Sequence, residues 1–169
     1  MNCIVVADMN WAIGKDNGLL AHLPGDLKYY KEKTLGKVIV IGRKTLESFP
    51  GGKPLPGRTN LVLTGNPDYK NESCIVCCGM DALEKAMDQY DDEDIFVSGG
   101  AMIYDMMLDR CDKVFVTKIF STFEADRYFR NMDEDENFVL TWESDVMEEN
   151  GLSYKFTLYE RKQKRINGR

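Results

Sequence analysis

The segment VIVIGRKT, at residues 38–45, joins a continuous apolar run, a glycine and a polar stretch that can open a helix. A short apolar run without alternation is typical of a strand buried on both faces. The same order recurs in IFVSGGAMIY at 95–104, where Gly99 and Gly100 follow the strand. Helix N-termini present unpaired N–H groups. Two such turns in one small domain predict a site for the pyrophosphate of a dinucleotide, although neither matches GxGxxG or the phosphate loop of kinases.

Further strands and helices alternate along the chain, which predicts an α/β fold. Apolar helical spacing occurs at 81–90 and 100–109. Asn150-Gly151 between two alternating runs is a strong hairpin signal. We therefore predict one domain over 1–161, a central, mainly parallel twisted sheet with flanking helices and an antiparallel C-terminal hairpin at its edge. A basic, flexible tail is predicted at 162–169. The strands are predicted at 3–7, 38–42, 60–64, 74–78, 95–98, 114–119, 138–148 and 152–161.

The composition limits the classes of partner. The chain has 169 residues and a formal net charge of −6, which argues against nucleic acid, because phosphate binding needs a basic face. The acidic clusters at 88–94 and 133–136 are predicted to be solvated surface. Apolar runs are too short for a membrane span, and the N-terminus does not resemble a signal peptide.

The cysteines and the histidine of the sequence do not form a metal-binding pattern. The sequence has five cysteines, an odd number, and a single histidine, without paired CxxC motifs, so no metal site is predicted. Cys3, Cys74, Cys77 and Cys78 fall in β-rich runs and are predicted to be small buried hydrophobes. The absence of a disulfide pattern favours a reducing, cytoplasmic location.

An acidic residue stands out in GLLAHLPGDLKYYKEKT at 18–34, where Asp26 lies between an apolar run and a helical pattern. One interpretation is that Asp26 is the N-cap of the helix that follows. The other is a lone carboxylate on an apolar wall, which would bind a heterocycle through an exocyclic amine and a ring N–H. Arg43, Lys44 and Thr64 likewise allow two interpretations: solvated side chains, or donors to a ribose 2′-phosphate that would favour NADP over NAD.

Several segments together resemble the dihydrofolate reductase family. They occur in family order over nearly the whole chain, and the combination is specific although each one alone is modest. The segments are AIGKDNGLL (12–20), LPGDLKYYKEKT (23–34), VIVIGRKTLESF (38–49), PLPGRTNLVLT (54–64), IFVSGGAMIY (95–104), VFVTKI (114–119) and EADRYF (124–129).

The resemblance implies hydride transfer from NADPH to C6 of 7,8-dihydrofolate, with protonation at N5 to give tetrahydrofolate. Asp26 would bind the pterin amine and N3, and Thr117 would hydrogen-bond Asp26 or the pterin. Arg58 would form a bidentate pair with the α-carboxylate of the glutamate tail. The other residues implied at the substrate are Ile4, Val5, Leu27, Tyr30, Phe49 and Leu55, with Lys31 and Lys53 at the rim.

The resemblance also assigns a cofactor side. Residues 14–20 would form a mobile loop over the nicotinamide, and Gly99-Gly100 would carry a cis peptide. The implied cofactor contacts are Val6, Ala7, Ile13, Gly14, Asn17, Gly18 and Leu19 near the nicotinamide; Gly42, Arg43, Lys44 and Thr45 at the phosphates; Leu63, Thr64 and Gly65 at the adenine ribose; and Gly99, Gly100, Ala101, Met102 and Ile103 at the pyrophosphate. Cys78, Ser98 and Tyr104 are further implied cofactor contacts.

The chain departs from the family pattern at four positions. Leu20-Ala21 replaces the usual Pro-Trp, Ala101 replaces a third glycine, and Ser98 replaces a branched apolar residue at the pocket floor. Ala21, Ser98 and Tyr30 predict altered binding of diaminopyrimidine antifolates. His22 is predicted to pack in a loop without a catalytic role.

Two other functions remain open on the sequence alone. One is reduction of another pyrimidine-like heterocycle, as in riboflavin synthesis, which Asp26 together with Arg58 disfavours. The other is a non-catalytic NADP-binding module. Family resemblance suggests a monomer.

Overall fold

A twisted sheet organises the protein in the computed structural model, which describes residues 1–163. Its strands are β1 (Asn2–Ala7), β2 (Ala12–Gly14), β3 (Val38–Gly42), β4 (Thr59–Thr64), β5 (Ile75–Cys78), β6 (Ile95–Gly99), β7 (Lys113–Ile119), β8 (Arg127–Tyr128), β9 (Phe138–Glu143), β10 (Met147–Glu149) and β11 (Leu152–Arg161). Its α-helices are α1 (Pro24–Thr34), α2 (Arg43–Ser48), α3 (Met80–Met87) and α4 (Ala101–Met107). Short 3-10 helices cover Pro50–Gly52, Asp92–Asp94 and Leu108–Arg110.

The strand order is β10-β11-β7-β1-β6-β3-β4-β5, and β9 also pairs with β11. The pairs from β7 through β5 are parallel, whereas β11 is antiparallel to β7, β9 and β10. The predicted parallel sheet with an antiparallel edge is therefore confirmed. Because the parallel strands share one direction, the carboxyl ends of β1, β3 and β6 lie at the same edge.

The two faces of the sheet bury separate cores. Along β1, Cys3 and Val5 belong to the larger core, which also includes α3 and α4, while Ile4 belongs to a smaller core with Leu46 of α2. This alternation follows from the two-residue period of a strand. The face that carries Ile4 is the one that α1 covers through Tyr30.

The C-terminal hairpin differs from its prediction. The turn at Asn150-Gly151 is present, with a positive φ at both residues. The single strand predicted at 138–148 is wrong, because the chain breaks after Glu143 into β9 and β10. Ser144 explains the break: its backbone N–H bonds the Phe156 carbonyl, while its hydroxyl accepts the Phe156 N–H. The small β2–β8 sheet was not predicted.

The acidic clusters lie at the surface, as predicted, because none of their residues is buried, although several of their carboxylates are paired. Asp92 binds the N-terminal amino group at 2.8 Å, and Asp94 pairs with Lys37. Asp133 accepts the Tyr159 hydroxyl at 2.6 Å, and Asp135 pairs with Arg130. These contacts tie the connecting segments to one another and, through Tyr159, to the sheet.

The cysteines are all free. Cys3, Cys77 and Cys111 are buried, but Cys74 is half-buried and Cys78 is exposed, so the prediction of burial is wrong for these last two. The tail predicted to be flexible lies outside the described residues from position 164 onward. Among residues 1–163, no helix is long and apolar enough to cross a membrane.

Candidate active site

Asp26 lies in the first turn of α1. The helix begins at Pro24 with Leu23 as N-cap, so the interpretation of Asp26 as the N-cap is wrong. Proline suits this first position because its missing N–H would have no helical partner there. The Asp26 side chain faces the sheet, where the Thr117 hydroxyl of β7 donates to Asp26 Oδ1 at 2.6 Å. The residue is only 9% exposed.

The surroundings of Asp26 are mainly apolar. A pocket opens beside it toward the loop that leads into α1. Asp26 is its only acidic residue, and His22 its only other ionisable one. The lining residues are Val6, Ile13, Leu19, Leu20, Ala21, His22, Leu23, Asp26 and Leu27. A carboxylate has about four acceptor positions, and Thr117 uses one of them. The others remain available to a ligand with neighbouring N–H donors.

Burial raises the pKa of Asp26 from 3.8 to about 6; the Thr117 hydrogen bond lowers it, and the charge of Glu149 raises it further. Desolvation disfavours the charged carboxylate, which explains why burial has the largest effect. At neutral pH the group is mostly ionised, yet it can take up a proton close to physiological pH. Such a pKa is suited to acid–base work.

The raised pKa predicts a dependence of stability on pH. The carboxyl group of Asp26 binds its proton more tightly in the folded protein than in the unfolded chain. Protonated Asp26 therefore contributes its full stabilisation below pH 3.8, and this contribution is lost as the pH rises through 6. The shift corresponds to about 3 kcal/mol. We expect Asp26→Asn to raise the free energy of unfolding at pH 7.5 by up to about 3 kcal/mol. At pH 4.5 the gain should be smaller by about 2 kcal/mol.

Urea unfolding of parent and variant at the two pH values measures this difference. Asp145→Asn is the matched control, because Asp145 is exposed and the same charge is removed. An equal gain from Asp26→Asn at both pH values would contradict the burial of an ionised carboxylate.

A second group of predicted substrate residues lies on the same face of the sheet. Tyr30, one turn after Asp26, packs against the smaller core that contains Ile4, as do Phe49 and Leu55. Val5 differs, because its side chain belongs to the larger core on the opposite face. Leu27 is 43% exposed beside Asp26 and is available for contact. Lys31 and Lys53 are exposed, as a position at the rim requires.

Ser98 brings a polar group to this apolar face. Its hydroxyl is buried, and the polar group beside it is the Tyr30 phenol. Burial raises the pKa of Tyr30, whereas the nearby Ser98 hydroxyl and the Arg58 charge lower it. Ser98 and Tyr30 are therefore neighbours, and the place of Ser98 at the pocket floor stays a prediction.

Arg58 is held at the end of α1. Its Nε and Nη2 donate to the Pro56 carbonyl at 3.0 and 2.8 Å, and its Nη1 reaches Thr34 Oγ1 at 3.4 Å. Each terminal nitrogen carries two hydrogens, so both Nη1 and Nη2 keep one free N–H. A guanidinium fixed in this way can bind a carboxylate with two parallel hydrogen bonds.

The two glycine turns meet at the carboxyl edge of the sheet. β3 and β6 are neighbours, which places Gly42 beside Gly99 and Gly100. A Cβ at Gly42 would lie 3.3 Å from Ile103 and 3.9 Å from the Gly100 nitrogen, and one at Gly100 would lie 3.1 Å from Thr45 Oγ1. Side chains at these positions would fill the space between the turns. The Gly99–Gly100 peptide is cis, as predicted.

The loop at 14–20 runs from the pocket to this edge. A tight turn joins Lys15 and Gly18, and Asn17 Nδ2 donates to the Lys44 carbonyl at 3.1 Å. The loop therefore bridges β2 and α2. Other predicted cofactor residues line the edge itself: Arg43, Lys44 and Thr45 form the first turn of α2, Leu63 and Thr64 end β4 before Gly65, Cys78 ends β5, and Ala101, Met102, Ile103 and Tyr104 open α4. Val6 and Ala7 end β1.

Two acidic residues near the site were missed by the sequence reasoning. Asp8, fully buried, accepts the N–H groups of Asn10, Ala12 and Phe123, and so fixes the connection that leads to the loop. An aspartate directly after a strand is a signal for such a turn. Glu149 accepts the Gly25 N–H from a position 124 residues away, and no local pattern indicates that contact.

The pocket offers a carboxylate to a ligand with N–H donors, and the glycine edge leaves space for the phosphates of a dinucleotide. Comparison with known proteins identifies the family. The sequence model of the dihydrofolate reductase family matches residues 1–161. The chain belongs to the dihydrofolate reductase family, whose members reduce 7,8-dihydrofolate with NADPH.

Individual relatives agree with this assignment. The chain is 40% identical to a dihydrofolate reductase of Bacillus subtilis over 161 residues, covering 94% of this chain and 93% of that protein. It is 34% identical to one of Staphylococcus haemolyticus, covering 95% of each. A solved structure of dihydrofolate reductase from Enterococcus faecalis, complexed with NADP(H) and RAB-propyl, superposes with a TM-score of 0.84 at 34% identity, covering 96% of each chain.

Proposed function

We propose that the chain reduces 7,8-dihydrofolate to tetrahydrofolate with NADPH, and that Asp26 is its catalytic carboxylate. The observation that carries this assignment is the buried Asp26, bound by Thr117 and open to an apolar pocket. Asp26 would accept the exocyclic amine and ring N–H of the pterin. It would thereby orient the ring and favour protonation at N5, with water as the proton carrier.

The substrate would extend from Asp26 toward Arg58. The pterin and aminobenzoyl rings suit the apolar group that contains Ile4, Tyr30, Phe49 and Leu55. The free N–H groups of Arg58 suit the α-carboxylate of the glutamate tail. The hydroxyl of Ser98 adds a polar contact where the family has an apolar one, and this supports the predicted change in antifolate binding.

The glycine edge suits the cofactor. The space that a Cβ would fill at Gly42 and Gly100 fits a pyrophosphate that approaches the backbone, with Thr45 beside it. Arg43 would bind the 2′-phosphate that distinguishes NADP from NAD. NADPH, when bound, supplies the hydride that reaches C6. The loop at 14–20 would cover the nicotinamide and exclude water. We further propose that the protein is a cytoplasmic monomer.

A hydride-transfer assay tests the function. We expect the purified chain to oxidise NADPH only when dihydrofolate is present. With NADPH deuterated at the transferred position, the tetrahydrofolate formed should carry deuterium at C6. A folded protein that binds NADPH and produces no tetrahydrofolate would overturn the proposal and favour the non-catalytic module.

A further inference from the structure

The first turn of α1 contacts the C-terminal hairpin through one carboxylate. The Gly25 N–H donates to Glu149 Oε1 at 2.9 Å, and the Tyr154 hydroxyl lies 3.4 Å from the same oxygen. Glu149 is the last residue of β10, and Gly25 directly precedes Asp26 in α1. The hairpin therefore reaches the backbone that carries the proposed catalytic group.

Gly25 makes this approach possible. A Cβ at Gly25 would overlap the Tyr154 hydroxyl and lie 3.4 Å from Glu149 Oε1. Tyr154 is only 3% exposed, so it has little room to move aside. Helix α1 and the hairpin thus meet closely only because position 25 lacks a side chain.

Glu149 also acts on Asp26 through its charge. Burial has the largest effect on the pKa of Asp26, and the Thr117 hydrogen bond has the second largest. The negative charge of Glu149 comes next and raises the pKa of Asp26. The groups that face Asp26 from other elements are the Thr117 hydroxyl on β7, the phenols of Tyr104 and Tyr154, and His22 across the pocket; Tyr29 lies on α1 itself.

We propose that Glu149 is a positioning residue for the reaction, which holds the first turn of α1 through Gly25 and maintains a negative charge beside Asp26. A carboxylate is needed here because it both accepts the Gly25 N–H and opposes full ionisation of its neighbour. The inference rests on the proposed catalytic role of Asp26. The arrangement would keep a larger share of Asp26 protonated near neutral pH.

Glu149→Gln tests the charge while an acceptor oxygen is retained for Gly25. We follow the carboxyl ¹³C signal of Asp26 by NMR, assigned by its loss in Asp26→Asn, together with the pH profile of kcat. The midpoint of both is expected to shift to lower pH in Glu149→Gln. A shift of half a unit would lower the protonated fraction at pH 7 about threefold.

Glu148→Gln is the matched control. Glu148 directly precedes Glu149, its side chain is exposed, and the variant removes the same charge. Its midpoint should equal that of the parent. Glu149→Asp, which keeps the charge, should keep the midpoint close to that of the parent. An unchanged Asp26 midpoint in a folded Glu149→Gln protein, even with a lower Tm, would overturn the proposal. The NMR titration does not depend on turnover, so failure of the catalytic role of Asp26 would be seen separately, as retained activity in Asp26→Asn.

Discussion

Asp26→Asn is expected to lower kcat for dihydrofolate at pH 7.5 by at least about 100-fold, the contribution of a well-placed acid–base group. The asparagine oxygen can still accept the Thr117 hydroxyl that now reaches Oδ1 at 2.6 Å. The amide NH2 group, however, is a donor and would lie opposite an N–H donor of the pterin, so these two groups cannot form a hydrogen bond. It also cannot carry the negative charge that favours protonation of the ring.

Single-turnover hydride transfer with saturating NADPH measures this loss without interference from product release. The parent rate should change around pH 6, near the raised pKa of Asp26, and the variant should lack that inflection. Asp145→Asn, an exposed change of the same kind, should leave the rate and its pH profile unaltered. A variant rate within threefold of the parent would remove Asp26 from the mechanism.

The regular part of the fold was predictable because its signals are local. The apolar runs at 38–42 and 114–119 match β3 and β7 to within a residue, since a strand buried on both faces needs no alternation. The division of 138–148 was not predictable, because Ser144 ends the strand through bonds to Phe156, which is remote in sequence. The β2–β8 pair is too short to leave a periodic pattern.

The site shows the same division between local and remote signals. Asp26 could be singled out from its apolar neighbours, but its contact with Thr117 spans 91 residues and was expected only from family resemblance. Glu149 gave no signal, because its proximity to Gly25 is set by how the hairpin lies on α1. Composition also could not show that Asp92 and Asp133 are tied into ion pairs or hydrogen bonds, since a run of acids looks the same whether solvated or paired.

Arg58→Lys is expected to raise KM for dihydrofolate about 10- to 100-fold while kcat changes little. Charge-assisted hydrogen bonds contribute about 1.5–3 kcal/mol, and lysine keeps the charge but cannot bind a carboxylate with two parallel bonds. In the structure Arg58 is already fixed by the Pro56 carbonyl and Thr34, so little ordering remains to be done when the glutamate tail binds.

The test compares two substrates in steady-state assays: dihydrofolate and a 7,8-dihydropterin without the glutamate tail. Arg58→Lys should raise KM only for dihydrofolate, because the dihydropterin has no α-carboxylate for Arg58 to bind. Lys53→Gln is the control, since Lys53 is an exposed cation at the rim and its removal should alter KM for dihydrofolate far less. Equal losses with both substrates would mean that Arg58 supports the pocket through Pro56 and Thr34 and does not bind the tail.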